Sequence, residues 1–263
     1  MSLFDSGLRV NSISVVRSAL SSALPFFGGF SLGNHPLMIK LFNGFYQERP
    51  RVHKAAPCWS VDNVLNSILA WGENSSLALS KLTWKLAMLM SLSVASRCSE
   101  LAYLDLSHAF PNPSGIEFLL TRHKKNRKHS ALPGKLFVPK IELAGICPVQ
   151  CLNHYIERTK DARSANASSN LVFRSLSNPE SGVTPKTISR WLTSCIQESG
   201  FTSDNSTIGH SVRSKAVTKA SLKGMSTQDI INAVGWKNDS CFYKFYFKPE
   251  QTTNLGSKVL TLG

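Results

Sequence analysis

Four stretches of this chain collect side chains suited to work on a phosphate ester. The first is Arg97-Cys98-Ser99-Glu100-Leu101, which follows the apolar run 86–95. A guanidinium beside so apolar a segment sits near the core and needs a partner there. A bidentate oxyanion is the usual one, and a salt bridge to Glu100 or another acid is the alternative. The second is the basic run Arg122, His123, Lys124, Lys125, Asn126, Arg127, Lys128 and His129, which can contact phosphates or simply sit in water as a charged turn. The third is His210-Ser211-Val212-Arg213. Positions i and i+3 share one helix face, so Arg213 can neutralise a nonbridging oxygen while His210 donates or accepts a proton. The fourth runs from Gly235-Trp236 to Tyr243 and Tyr246. A tyrosine activated by nearby cations can act as a covalent nucleophile, whereas packing of a terminal helix asks only for aromatic bulk.

Charge points to a polyanionic partner. Thirty Lys and Arg face sixteen Asp and Glu, a formal net charge of +14, although only 17% of the 263 residues are charged. The excess comes from a shortage of acids, and it favours nucleic acid without separating DNA from RNA or an anionic membrane. No apolar run reaches the ~18 residues of a membrane span. The first 24 residues lack a signal-peptide layout, so an intracellular protein is expected. The six cysteines (Cys58, Cys98, Cys147, Cys151, Cys195, Cys241) are scattered. The Cys147/Cys151 pair has neither a second pair nor a histidine to complete a zinc site, and all six are expected to be reduced thiols, with no metal bound.

These stretches need elements to hold them. Residues 11–24 carry Ile13, Val16, Leu20 and Leu24 at helical spacing and end at Pro25, Gly28 and Gly29. A second helix, 35–46, opens at Pro36. A basic linker follows over 47–57, carrying Arg49, Arg51, His53 and Lys54 along with Pro50 and Pro57. A boundary there gives a helical N-terminal domain, 1–52, and a second domain, 53–263. Some fifty residues make a thin domain, so the first is expected to be partial. The second reads as helices over 61–70, 77–93 and 99–104. Strands over 115–121 and 135–139 flank the basic run as a hairpin. Helices then follow over 148–162, 185–199, 211–223 and 226–234. Ser226 with Asp229 three residues on reads as an N-cap with an acidic first turn. The expected class is mainly α with a small antiparallel β-sheet.

The order of the four stretches is their most specific feature. Arginine, hairpin lysine, His-x-x-Arg, Gly-Trp and tyrosine succeed one another as in the tyrosine recombinase (phage integrase) family, which the chain resembles over roughly 58–250. Arg97 with Glu100-Leu101 is similar to the family's first arginine motif, His210 and Arg213 to its His-x-x-Arg, and Gly235-Trp236 to its Gly-His/Trp motif. His-Ser-Val-Arg-Ser from His210, the Gly-Trp pair, Phe-x-x-Phe-Tyr from Phe242 and Thr187-Ile188-Ser189-Arg190-Trp191 resemble the eukaryotic branch of DIRS-type retrotransposons and Crypton-type transposons. So do the N-terminal helix and His35-Pro36-Leu37. In that branch the nucleophile closes the Phe-x-x-Phe-Tyr run, which selects Tyr246 over Tyr243. Bacterial members carry theirs slightly nearer the Gly-His motif, which falls here on Phe245. The family lysine sits at the hairpin turn, where Lys124, Lys125 and Lys128 all qualify; Lys125 best fits a Lys-x-x-basic turn.

The resemblance implies the tyrosine recombinase catalytic fold and a site-specific recombinase or integrase. It implies metal- and ATP-independent cleavage and rejoining through a 3′-phosphotyrosyl intermediate, with no cofactor. Arg97 and Arg213 would neutralise nonbridging oxygens, His210 would act as base or donor, and Lys125 would protonate the leaving 5′-oxygen. Trp236 can donate a hydrogen bond but cannot shuttle protons. Arg49, Arg51, Lys54, Arg122, Lys124, Arg127 and Lys128 would grip double-stranded DNA. The partners implied are DNA and further copies of the chain: a tetramer on synapsed DNA, a dimer or monomer when free. A nuclear location follows if the chain comes from a eukaryotic mobile element. Rival readings are a type IB topoisomerase-like enzyme, a catalytically inactive recombinase-derived DNA-binding protein, and a basic RNA-binding or interaction module.

Overall fold

The computed structural model describes residues 3–50, 59–121, 134–165, 170–201, 208–236, 239–240 and 242–247. The chain divides into two compact units, Met1–Ala56 and Pro57–Gly263. The domain boundary read at residues 52/53 lies outside the described residues.

The first unit holds two helices, α1 (Val10–Ala23) and α2 (Pro36–Glu48). Between them the chain reverses at Phe27–Phe30, whose backbones exchange hydrogen bonds of 2.8 and 3.0 Å. The two central residues are Gly28 and Gly29, with φ of 56° and 82°, the double left-handed turn that glycine alone takes without strain. His35 Nδ1 accepts from the Leu37 N–H ahead of Pro36, so α2 starts at the predicted proline. The small core is Phe4, Val10, Ile13 and Phe42.

In the second unit, α3 (Val61–Ala70), α4 (Leu79–Val94) and α5 (Cys98–Ala102) precede a three-stranded sheet. Then come α6 (Pro148–Arg158), α7 (Lys160–Ala165), α8 (Pro185–Glu198), α9 (Ile208–Leu222) and α10 (Thr227–Val234). A single π-helical turn, Phe242–Tyr246, follows. Helix α4 is the centre. It is apolar on nearly all sides, which only a helix packed all round tolerates, and it touches α5, α6, α8, α9 and the third strand. Leu82, Leu86, Ala87, Met88 and Met90 are wholly buried, and each large one contributes ~1.5–3 kcal/mol of transfer energy. Lys85 is buried among them; its ammonium donates to the Gly72 carbonyl at 3.4 Å, and burial lowers its pKa.

The sheet runs β1 (Ala109–Asn112), β2 (Gly115–Leu120), β3 (Gly134–Pro139), antiparallel throughout, with Gly115 opposite Pro139. The predicted hairpin is β2 with β3. Strand β1 was not expected, because Ala-Phe-Pro-Asn offers no alternation and contains proline. It forms as an edge strand, where proline is admissible, closing on β2 through Pro113-Ser114. Gly115 is required there: a Cβ would lie 2.2 Å from the Val138 carbonyl. The helix expected over 148–162 is instead two, broken at Thr159, whose hydroxyl donates back to the Tyr155 carbonyl at 2.8 Å. Cys98, Cys147, Cys151 and Cys195 are buried free thiols. No described helix is long and apolar enough to cross a membrane.

Candidate active site

Arg97 is set by two turns of chain. Helix α4 stops at Ala95, which takes the left-handed conformation (φ 44°, ψ 41°) despite carrying a Cβ, at a cost of about 1–2 kcal/mol. The reversal makes Arg97 the N-cap of α5, with Glu100 as its third residue. Glu100 Oε2 accepts from the Arg97 backbone N–H at 2.7 Å, and Oε1 accepts from Arg97 Nη1 at 2.7 Å. This is the glutamate half of a capping box; an arginine side chain has no acceptor with which to supply the other half. The salt bridge set as the alternative to an oxyanion is therefore present, yet the Arg97 side chain remains 51% exposed while that of Glu100 is 12% exposed.

Arg213 lies on α9 and is only 5% exposed. Its Nε, Nη1 and Nη2 make no hydrogen bond among the described residues. Among the described residues its ion-pair partner is again Glu100, 3.5 Å from Nη1. Burial pushes the Arg213 pKa down, and the Arg97 charge pushes it the same way; Glu100 and Tyr246 act against both. The first turn of α9 sits hard against α8: a Cβ on Gly209 would lie 2.5 Å from the Ser189 carbonyl oxygen. His210 stands on this turn, one residue beyond Gly209, and its side chain lies outside those described.

Trp236 and Tyr246 come from the far end of the chain. The Ser226 hydroxyl caps α10 by accepting from the Asp229 N–H at 3.1 Å, as predicted. Gly235 ends the helix at φ 68°, and the Trp236 N–H returns to the Ile231 carbonyl at 3.0 Å, a glycine-closed terminus that sets the exit direction. The π-helical turn then closes by Phe247 N–H to the Phe242 carbonyl at 2.8 Å. Phe242 anchors it, buried with Ala95, Val217 and Ile230. The Tyr246 carbonyl accepts from Ser214 Oγ at 2.6 Å and from Thr218 Oγ1 at 3.1 Å, both on α9. Its ring stacks on Trp236 with centroids 4.6 Å apart, and the Arg213 guanidinium lies 5.3 Å from the centre of each ring. Tyr243 points elsewhere: it is 57% exposed, its hydroxyl 3.1 Å from Thr227 Oγ1.

Arg97, Arg213 and Tyr246 thus line one cleft of about 350 Å³, together with Ser91, Ser96 and Cys98. Among the described residues two guanidiniums face one carboxylate there, leaving a positive balance, and one of them is buried with unused donors. Such a site suits an oxyanion and disfavours a cation. Among the other predicted residues, Arg49 is exposed but employed within its own unit: Nη1 donates to the Phe4 carbonyl at 2.8 Å, and the guanidinium covers the Phe4 ring at 3.8 Å. Arg51, Lys54, Arg122, Lys124, Lys125, Arg127 and Lys128 lie outside the described residues.

No family model and no curated protein matches the sequence. Solved structures do match its fold. The Tn1549 transposon integrase (residues 82–397), in complex with circular intermediate DNA, aligns over 99% of this chain and 81% of its own, with TM-score 0.59 and 12% identity. The XerH site-specific recombinase, in a post-cleavage complex with palindromic difH substrate, aligns over 98% and 67%, with TM-score 0.58 and 10% identity. The XerA recombinase aligns over 97% and 84%, with TM-score 0.53 and 16% identity. The fold is that of the tyrosine recombinases.

Within the tyrosine recombinase fold of this chain, several residues that build the cleft escape a reading of the sequence. Glu100 draws attention as a partner of Arg97 but serves Arg213 as well. Ser214 and Thr218 hold the Tyr246 backbone; their i, i+4 spacing beside Arg213 is the only trace they leave. Ser91 and Ser96 carry no pattern at all.

Proposed function

We propose that this chain is a site-specific DNA recombinase or integrase that cuts and rejoins duplex DNA through a 3′-phosphotyrosyl bond at Tyr246. One observation carries the reading: Arg97, Arg213 and Tyr246, distant in sequence, line one cleft with surplus positive charge and unused buried donors. The fold shared with recombinases solved on DNA supports it.

In this reading Arg213 and Arg97 hold the nonbridging oxygens of the scissile phosphate and oppose the charge that builds on them. The Tyr246 oxygen attacks phosphorus and the 5′-oxygen leaves. His210 serves as base toward the phenol or as a donor to the phosphate, and Lys125 gives the leaving oxygen its proton. A strand end then attacks the linkage and restores the diester, so bond energy is conserved without ATP or a metal. Trp236 keeps the Tyr246 ring in place by stacking. Arg49, Arg51, Lys54, Arg122, Lys124, Arg127 and Lys128 contact the phosphate backbone. Residues 1–52 act as a DNA-clamping domain and 53–263 as the catalytic domain. Exchange takes place in a tetramer on paired duplexes. The motif details favour an origin in a DIRS-type or Crypton-type element, and hence work in the nucleus.

The test is a pool of nicked duplexes of randomised sequence, whose cleavage traps a covalent adduct. Adduct from the unaltered chain and from Tyr243→Phe, but not from Tyr246→Phe, is expected. DNA binding with no adduct from the unaltered chain would reduce the protein to a DNA-binding relative of the enzymes.

A further inference from the structure

We propose that Trp59 and Ser211 form a positioning pair that sets the first turn of α9, and through it Arg213, for the chemistry of the cleft. The proposal rests on the recombinase reading above and assigns that site a residue from the opposite end of the domain. Trp59 is 2% exposed. An indole has one hydrogen-bond donor and no acceptor, and Trp59 Nε1 spends it on Ser211 Oγ at 2.7 Å, across 152 residues of sequence. Ser211 stands between His210 and Val212, two residues before Arg213. On its other side the same turn is pressed on α8 at Gly209, where the Ser189 carbonyl and hydroxyl leave no room for a Cβ. The turn is therefore held from two directions. Two turns further along, Lys219 Nζ meets Asp62 Oδ1 at 2.5 Å, so α9 is tied to the Trp59–Asp62 stretch at a second point.

The pair matters because of what Arg213 lacks. With no hydrogen bond to its guanidinium among the described residues, and only the 3.5 Å ion pair to Glu100, its direction is weakly held by polar contacts. It follows from the helix that carries it and from the Trp236 and Tyr246 rings beside it. Any roll of the first turn moves the end of so long a side chain by an amplified distance. A misplacement of ~1 Å at reacting groups can cost on the order of a hundredfold in rate. Trp59 stands two residues after the basic linker 47–57, so the stretch by which the chain enters the catalytic domain also registers the catalytic helix.

The experiment compares single-turnover adduct formation and DNA affinity for the unaltered chain, Ser211→Ala, Ser211→Thr, Trp59→Phe and the double variant Trp59→Phe/Ser211→Ala. Ser211→Ala and Trp59→Phe are each expected to slow adduct formation by roughly ten- to a hundredfold, with DNA affinity unchanged. The double variant is expected to be no slower than the worse single one, and Ser211→Thr, which restores the acceptor, recovers the rate. Ser211→Ala keeps the Trp59 packing, so it decides the matter even if Trp59→Phe does not fold. Adduct formed by Ser211→Ala at the unaltered rate, or effects that multiply in the double variant, would overturn this proposal alone. No adduct from the unaltered chain would overturn the recombinase reading and this proposal together.

Discussion

Nη1 of Arg213 lies 3.5 Å from Oε2 of Glu100, beyond the ~2.7–2.9 Å of a charge-assisted hydrogen bond. The carboxylate is already committed, through both oxygens, to Arg97. Arg213 is thus a buried cation close to a counter-charge it does not fully share. That arrangement costs stability in the free protein and keeps donors ready for an incoming anion.

Arg213→Met tests this directly. Replacing a whole buried ion pair with apolar side chains is often neutral or stabilising by ~1–4 kcal/mol, whereas removing one partner is costly only where the other is left unpaired. Glu100 keeps Arg97, so no orphan is left. The variant free of DNA is expected to unfold at the same temperature as the unaltered chain or higher, while adduct formation disappears. A large loss of stability would instead make Arg213 a structural residue.

Glu100→Gln shifts the balance of the cleft the other way. The counter-charge goes, and the exposed Arg97 loses its ion pair, which costs about 1 kcal/mol or less. Orthovanadate, as a phosphate mimic, should bind more tightly to the variant in calorimetric titration. The gain should shrink as salt is raised. Unchanged anion affinity would mean that Glu100 does not set the potential of the cleft.

Ser214→Ala with Thr218→Val removes both donors to the Tyr246 carbonyl. At ~0.5–1.5 kcal/mol per neutral hydrogen bond, the turn 242–246 should detach far more often while the helical core keeps its unfolding temperature. Limited proteolysis should cut near the turn faster, and adduct should form more slowly. Equal protease resistance would show that Phe242 alone anchors the turn.

Alkali tests the buried thiols. Burial pushes the pKa of Cys151 and of Cys195 from the ordinary 9.0 to about 12. Each then favours the fold fully below about 9 and loses that contribution as pH rises toward 12. Tyr155, raised by burial, acts in the same direction, and Lys85, lowered by burial, acts in the opposite one. Comparing the unaltered chain with Cys151→Val/Cys195→Val isolates the thiols. The variant's unfolding temperature should fall less between pH 9 and 12 than that of the unaltered chain; an equal fall would mean that neither thiol stays protonated in the fold.

The sequence by itself determined most helices of the second unit, though not the break at Thr159 or the turn 242–246, together with the β2–β3 hairpin and the nomination of Arg97, Arg213, Trp236 and Tyr246 as candidates. Apolar spacing, capping residues and motif order are local or strictly ordered signals, and they survive being read in one dimension. Only the tertiary structure decided that Glu100 faces both arginines, that Ser214 and Thr218 hold the Tyr246 backbone, and that Trp59 reaches Ser211. Strand β1 belongs with these, because Ala109–Asn112 becomes a strand only once β2 offers it an open edge. Each such contact depends on the angle at which elements distant in sequence meet. Packing around α4 fixes those angles, and no spacing along the chain records them.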